Sequence, residues 1–159
     1  MKTSIVWFRK CLRLHDNPAL LEACKNEDSQ SVLPLFILDP AVVGSELDKI
    51  SPNRMRFLIE CLSDLDSQLK ALQNHGLLIA FGNPSEIFKE IQKYSEYPIG
   101  LFSDYCSEPH GLQVTQSIQA LFSGTDSSSP TPVEFFPAVH TLTDLESVVS
   151  APNFKQPKS

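Results

Sequence analysis

Thr3-Ser4-Ile5-Val6-Trp7-Phe8-Arg9-Lys10-Cys11-Leu12-Arg13-Leu14-His15-Asp16-Asn17-Pro18-Ala19-Leu20 is the stretch whose reading decides the fold. Thr3 to Phe8 is a short β-branched and aromatic run, apolar on both alternating faces, which is how a strand buried on two sides reads. Asn17 before Pro18 is an N-cap residue before proline at the first helical position, so a helix starts there. Strand, eight-residue loop and helix therefore open the chain, and the rest of the sequence repeats the theme. Apolar runs at 32–38, 77–82, 99–105 and 133–137 read as four more strands, and residues 17–24, 52–74, 84–94 and 112–122 carry helical spacing. Alternating strands and helices predict an α/β fold: a five-stranded doubly wound parallel sheet with helices on both faces.

Local signals sharpen this. Ser51-Pro52 and Asn83-Pro84 repeat the cap-proline arrangement, and Glu108-Pro109-His110-Gly111 reads as a turn leaving the fourth strand. In the second helix Leu58, Cys61, Leu62, Leu65, Leu69 and Leu72 form an apolar stripe predicted to face the core, with Gly76 as its C-cap. Residues 124–132, rich in Ser, Thr and Pro, predict a surface loop, and 151–159 is polar and proline-punctuated like the start of an interdomain linker or a disordered tail. The expected organisation is one domain over residues 1–150, followed by that segment. There is no internal repeat.

At 159 residues and 42% hydrophobic content the chain has enough material for one substantial core. No apolar run approaches the roughly 20 residues that cross a bilayer, and Arg9 and Lys10 cut off the first one, so no membrane partner is expected. Cys11, Cys24, Cys61 and Cys106 stand at irregular spacings with no Cys-x-x-Cys pair, which fits reduced thiols in a nuclear or cytoplasmic protein. A net charge of −6 argues against strong nucleic-acid binding by this chain alone. The charge is uneven, however: Lys2, Arg9, Lys10 and Arg13 face only Asp16 in the first 20 residues. Such a basic patch could hold an anion, face DNA or pair with neighbouring carboxylates.

Ligands of open α/β sheets sit beyond the carboxyl ends of the strands at the topological switch point, so the loop after Phe8 carries most information. It contains no glycine, which argues against a dinucleotide site, and the chain has neither a Walker loop nor a Gly-x-Ser-x-Gly elbow. Cys106 and His110 are only two potential ligands, too few for a zinc site, and Cys11 reads as an unreactive loop thiol despite its basic neighbours. No catalytic residue and no metal site is predicted.

The run from Ile5 to Leu20 resembles the opening of the photolyase and cryptochrome family, in its animal cryptochrome and six-four photolyase branch. Further segments follow in the family's order: Phe36-Ile37-Leu38-Asp39-Pro40, Asn53-Arg54-Met55-Arg56-Phe57-Leu58, Cys61-Leu62-Ser63-Asp64-Leu65-Asp66, Gly82-Asn83-Pro84, Asp104-Tyr105-Cys106-Ser107-Glu108-Pro109 and His140-Thr141-Leu142-Thr143-Asp144-Leu145. The resemblance implies the Rossmann-like N-terminal domain of a photolyase, which in that family precedes a helical domain holding FAD. It implies that FAD is not held by this chain alone, that a helical FAD-binding domain or the partners of cryptochromes are its candidate partners, and that light-dependent DNA repair or photoreception requires the helical part.

What the family leaves to this domain is an antenna pocket, which in some photolyases holds a deazaflavin, a folate or a flavin and in many animal cryptochromes is empty. The resemblance assigns its walls to Arg9, Lys10, Phe36, Ile37, Asp39, Arg54, Leu58 and Cys106. Three departures stand out: Cys106 replaces the family's usual aspartate, Cys11 its glycine or aspartate, and Met55 a common tryptophan. The bland alternatives are that Phe36 and Leu58 are core residues and that Arg13 with Asp16, or Arg54 with Asp39, are structural ion pairs. An interaction module, acting through its surface without catalysis, is the alternative function.

Overall fold

A computed structural model describes residues 3–73, 76–94, 100–123 and 133–136. The apolar run Thr3–Phe8 forms β1, followed by α1 (Pro18–Lys25), β2 (Ser31–Leu38), α2 (Pro40–Val43), α3 (Pro52–Gln73), β3 (Leu78–Phe81), α4 (Pro84–Tyr94), β4 (Gly100–Asp104), α5 (Pro109–Ser123) and β5 (Val133–Phe136). The strands pair in the order β3-β2-β1-β4-β5, every pairing parallel. Pro34 is tolerated inside β2 because β3 pairs with β2 only from Leu35 onward, so at Pro34 the ladder has one neighbour.

The two-sided burial predicted for β1 is explained by its alternation. Ile5 and Trp7 point to one face of the sheet with Leu35, Ile37 and Leu101, where Phe88 of α4 and Ile118 and Phe122 of α5 close over them. Val6 and Phe8 point to the other, with Phe36 and Phe102, under Ala19 and Ala23 of α1 and Leu62, Leu65 and Leu69 of α3. Trp7 meets Phe88 edge-on at 5.3 Å and Phe88 meets Phe122 at 6.1 Å, the geometry aromatic quadrupoles favour.

Each helix among the described residues begins with proline. Asn17 Oδ1 accepts from Leu20 N at 3.1 Å, Asp39 Oδ1 from Ala41 N at 2.9 Å, Ser51 Oγ from Arg54 N at 3.4 Å and Asn83 Oδ1 from Ser85 N at 2.9 Å, each occupying an amide that a helix start leaves unpaired.

Three sequence expectations need correction. The segment after β2 holds a four-residue helix, α2, too short to show a period and marked only by Asp39-Pro40. Glu108-Pro109-His110-Gly111 is no free turn: Leu112 N donates to Glu108 O at 2.9 Å, and α5 starts at Pro109, three residues before the predicted start. Leu72 leaves the core stripe and is 70% exposed, because the sheet lies under α3 only as far as Leu69. The predicted loop at 124–132, the motif at 140–145 and the segment 151–159 lie outside the described residues.

Candidate ligand cleft at the switch point

β2 lies to one side of β1 and β4 to the other, so the chain reverses direction across the sheet at the carboxyl ends of β1 and β4. There the loop after β1 is held by a carboxylate. Arg9 N and Lys10 N donate to Asp104 Oδ1 and Oδ2, both at 3.2 Å, and Asp104, the last residue of β4, is buried. In a dinucleotide fold amides at this position approach pyrophosphate across glycines. Here a protein carboxylate already occupies them, which gives the absence of glycine a physical counterpart.

Beyond Asp104 opens a cleft of about 720 Å³. All eight residues named from the sequence border it: Arg9 and Lys10 after β1, Phe36, Ile37 and Asp39 at the end of β2, Arg54 and Leu58 on α3, and Cys106 after β4. Phe36 belongs at once to the core and to the cleft wall, so the two readings offered for it are compatible. Trp7, Val43, Ile50, Phe57, Glu108, His110, Gly111 and Val114 also line the cleft and were not singled out from the sequence. The signal for Glu108 to Gly111 was available: they follow the fourth strand at its carboxyl end.

The cations divide sharply. Arg9 turns inward, with Nη1 donating to Thr115 Oγ1 at 3.0 Å, Nη2 to Gly111 O at 3.2 Å, and its guanidinium 4.5 Å from the centre of the Trp7 ring. Burial lowers its pKa against the opposing pull of Cys106, Asp104, Asp39 and Glu108, yet an arginine remains charged. Lys10 Nζ lies 2.8 Å from Glu108 Oε1. Burial works to lower the Lys10 pKa, but the hydrogen bond to Glu108 and the nearness of Cys106 outweigh it and hold the ammonium above its ordinary value. The same hydrogen bond keeps the Glu108 carboxyl below its ordinary value.

Arg13 pairs with Asp16 at 3.4 Å, as one reading of the basic patch expected. Asp39, however, meets His110 (Nε2 to Oδ2, 2.8 Å) and makes no ion pair with Arg54 among the described residues, so that suggested pair is not formed. Arg54 is left exposed on the rim, its guanidinium without a hydrogen bond or ion pair among the described residues. Cys11 is buried, and desolvation pushes its thiol pKa up over the counteracting pull of Arg13, the environment of an inert thiol. Among the described residues no group of three or more His, Cys, Asp or Glu side chains is placed to hold a metal, and no helix is long and apolar enough to cross a membrane.

A parallel 3-2-1-4-5 sheet with a largely apolar cleft at its switch point, and with a carboxylate where a phosphate would lie, defines a Rossmann-like α/β domain without the glycine-rich dinucleotide turn. The family model for DNA photolyase matches residues 4–158, and the chain belongs to that family. It is 38% identical over 148 residues to Cryptochrome-1 of Gallus gallus, covering 92% of this chain and 22% of the relative, and 36% identical over 165 residues to the (6-4)DNA photolyase of Arabidopsis thaliana, covering 98% and 28%. The chain thus spans about a quarter of the length of these relatives. The archaeal photolyase of Sulfolobus tokodaii shares the fold with a TM-score of 0.68 at 22% identity, covering 85% of this chain and 28% of that one. The class III photolyase of Agrobacterium tumefaciens does so at 0.67 and 24%, covering 86% and 26%. The five-stranded α/β architecture is that of the family's N-terminal domain.

Proposed function

We propose that the cleft is an antenna-type chromophore pocket, taking a planar conjugated ligand of the deazaflavin, folate or flavin class. The observation that carries the reading is convergence: eight residues from four separate stretches border one cavity of a size suited to such a molecule. Phe36, Ile37 and Leu58 offer flat apolar contact. Arg54 offers an exposed cation that could meet an anionic tail, and Asp39 an acceptor. A bound chromophore of this kind supplies light absorption and excitation-energy transfer; this chain's part is to bind it, orient it and exclude water. In this reading light-driven repair or photoreception belongs to the chain acting with a helical FAD-binding domain.

Trp7, the chain's sole tryptophan, lines the cleft and serves as the reporter. Titration with FMN, methenyltetrahydrofolate and 8-hydroxy-5-deazaflavin is expected to give saturable quenching of Trp7 emission with at least one of them, weakened by Arg54→Ala. No saturable quenching by any of the three overturns the reading.

A second reading, an interaction module, is favoured by one specific feature. Among the described residues β3 is an edge strand, and its Leu78, Ile79 and Phe81 are 46%, 47% and 53% exposed, an apolar edge of the kind that usually has a partner. Size-exclusion chromatography of this chain mixed with the helical portion of a cryptochrome is expected to give a complex that Phe81→Lys abolishes; co-elution unaffected by the substitution removes the support.

A further inference from the structure

The cleft's basic residues do different work, and the geometry separates them. Arg9 extends from the end of β1 to α5, where Gly111 and Thr115 stand four residues apart on one helical face. Its two terminal nitrogens fork onto them, Nη1 to Thr115 Oγ1 at 3.0 Å and Nη2 to Gly111 O at 3.2 Å, while Thr115 Oγ1 donates to the same Gly111 carbonyl at 2.8 Å. The three groups close a ring of hydrogen bonds, and the guanidinium in it lies over Trp7. Both terminal nitrogens of Arg9 thus have a partner on α5.

Gly111 makes this approach possible. A Cβ at that position would overlap Cys106 Sγ, come within 2.8 Å of Cys106 Cβ and stand 3.2 Å from Arg9 Nη2. The start of α5 also carries two clips that reach opposite loops: Glu108, just before the helix, to Lys10 after β1, and His110 to Asp39 after β2. Where the first turn of α5 sits therefore decides the position of Cys106, Glu108 and His110 along one side of the cleft.

We propose that Arg9 is a positioning residue: locked by Thr115 and Gly111, it sets the distance between β1 and the first turn of α5, and so shapes the cleft wall that carries Cys106, Glu108 and His110. The ligand half of this rests on the chromophore reading; the wall geometry does not.

The test uses the full chain and two readouts. Acrylamide quenching of Trp7 in the unliganded protein reports the wall, and FMN titration reports the pocket. Thr115→Val keeps the side-chain shape but removes the hydroxyl that Arg9 meets. It is expected to leave the circular dichroism spectrum unchanged, raise Trp7 quenching, and weaken FMN binding about tenfold, the effect of one charge-assisted hydrogen bond. Arg9→Lys, which keeps the charge but loses the fork, is expected to match it, and Thr115→Ser to behave as the wild type. Wild-type shielding of Trp7 in both Thr115→Val and Arg9→Lys, or a Thr115→Ser protein as impaired as Thr115→Val, overturns the proposal. Should the wild type not take up FMN, the flavin reading of the pocket fails, while the contrast in Trp7 quenching still decides the role of Arg9.

Discussion

Asp104 shows how much one side chain decides. Its two oxygens receive the amides of Arg9 and Lys10, so the loop that a nucleotide-binding relative of this topology would hand to a phosphate is closed by the protein itself. Asp104→Asn keeps the size but places an amide NH₂ against one of those N–H donors, so one hydrogen bond is lost and two donors face each other. Urea unfolding followed by Trp7 emission is expected to show a loss of about 1–3 kcal/mol. The sequence names Asp104 only as part of a family motif. Its role depends on β4 lying next to β1, a contact between residues 95 apart in the chain. The eight cleft residues were legible because the family motifs carry them. The inward turn of Arg9 was not, since nothing in Arg9-Lys10 says which cation finds an internal partner.

At the scale of elements, local chemistry set most boundaries. Asx-Pro and Ser-Pro pairs marked the starts of α1, α3 and α4 in the sequence, and the apolar period ran along α3 as expected through Leu69. α2 and the first turn of α5 escaped because a four-residue helix has no period and because Gly111, two residues after Pro109, reads as a turn until Cys106 is seen packed against it.

The end of α3 offers a test of the same kind. Asp66 accepts from Leu77 N at 2.9 Å and from Lys70 Nζ at 2.6 Å, joining the helix to the approach to β3, and these bonds hold its carboxyl below its ordinary pKa. A folded pKa below the unfolded one contributes stability that is present above the unfolded value, about 3.9 for aspartate, and lost as pH falls through the folded value. A Cβ on Gly76 would overlap Asp66 Oδ1 and sit 2.8 Å from Lys70 Cε. Gly76→Ala is therefore expected to lower the melting temperature at pH 7 and to shrink its difference from wild type as the pH is brought below 4.

For the molecule as a whole, stability resides where two helical layers meet one sheet. Phe88 is fully buried between Trp7 and Phe122, so Phe88→Ala is expected to cost about 3–5 kcal/mol. Leu72→Lys, at a position the helical period alone would count as core, is expected to stay within about 0.5 kcal/mol of wild type, both measured by urea denaturation. The sequence by itself determined the order of strands and helices, the double burial of β1 and the family, because periodicity, caps and motifs are written in neighbouring residues. Which strands lie side by side, which cations are consumed internally and which is left exposed on the cleft rim were decided only by the tertiary structure. Those outcomes depend on pairings between residues 71 to 106 apart, such as Asp39 with His110 and Arg9 with Asp104 and Thr115, whose geometry exists only once the sheet has formed.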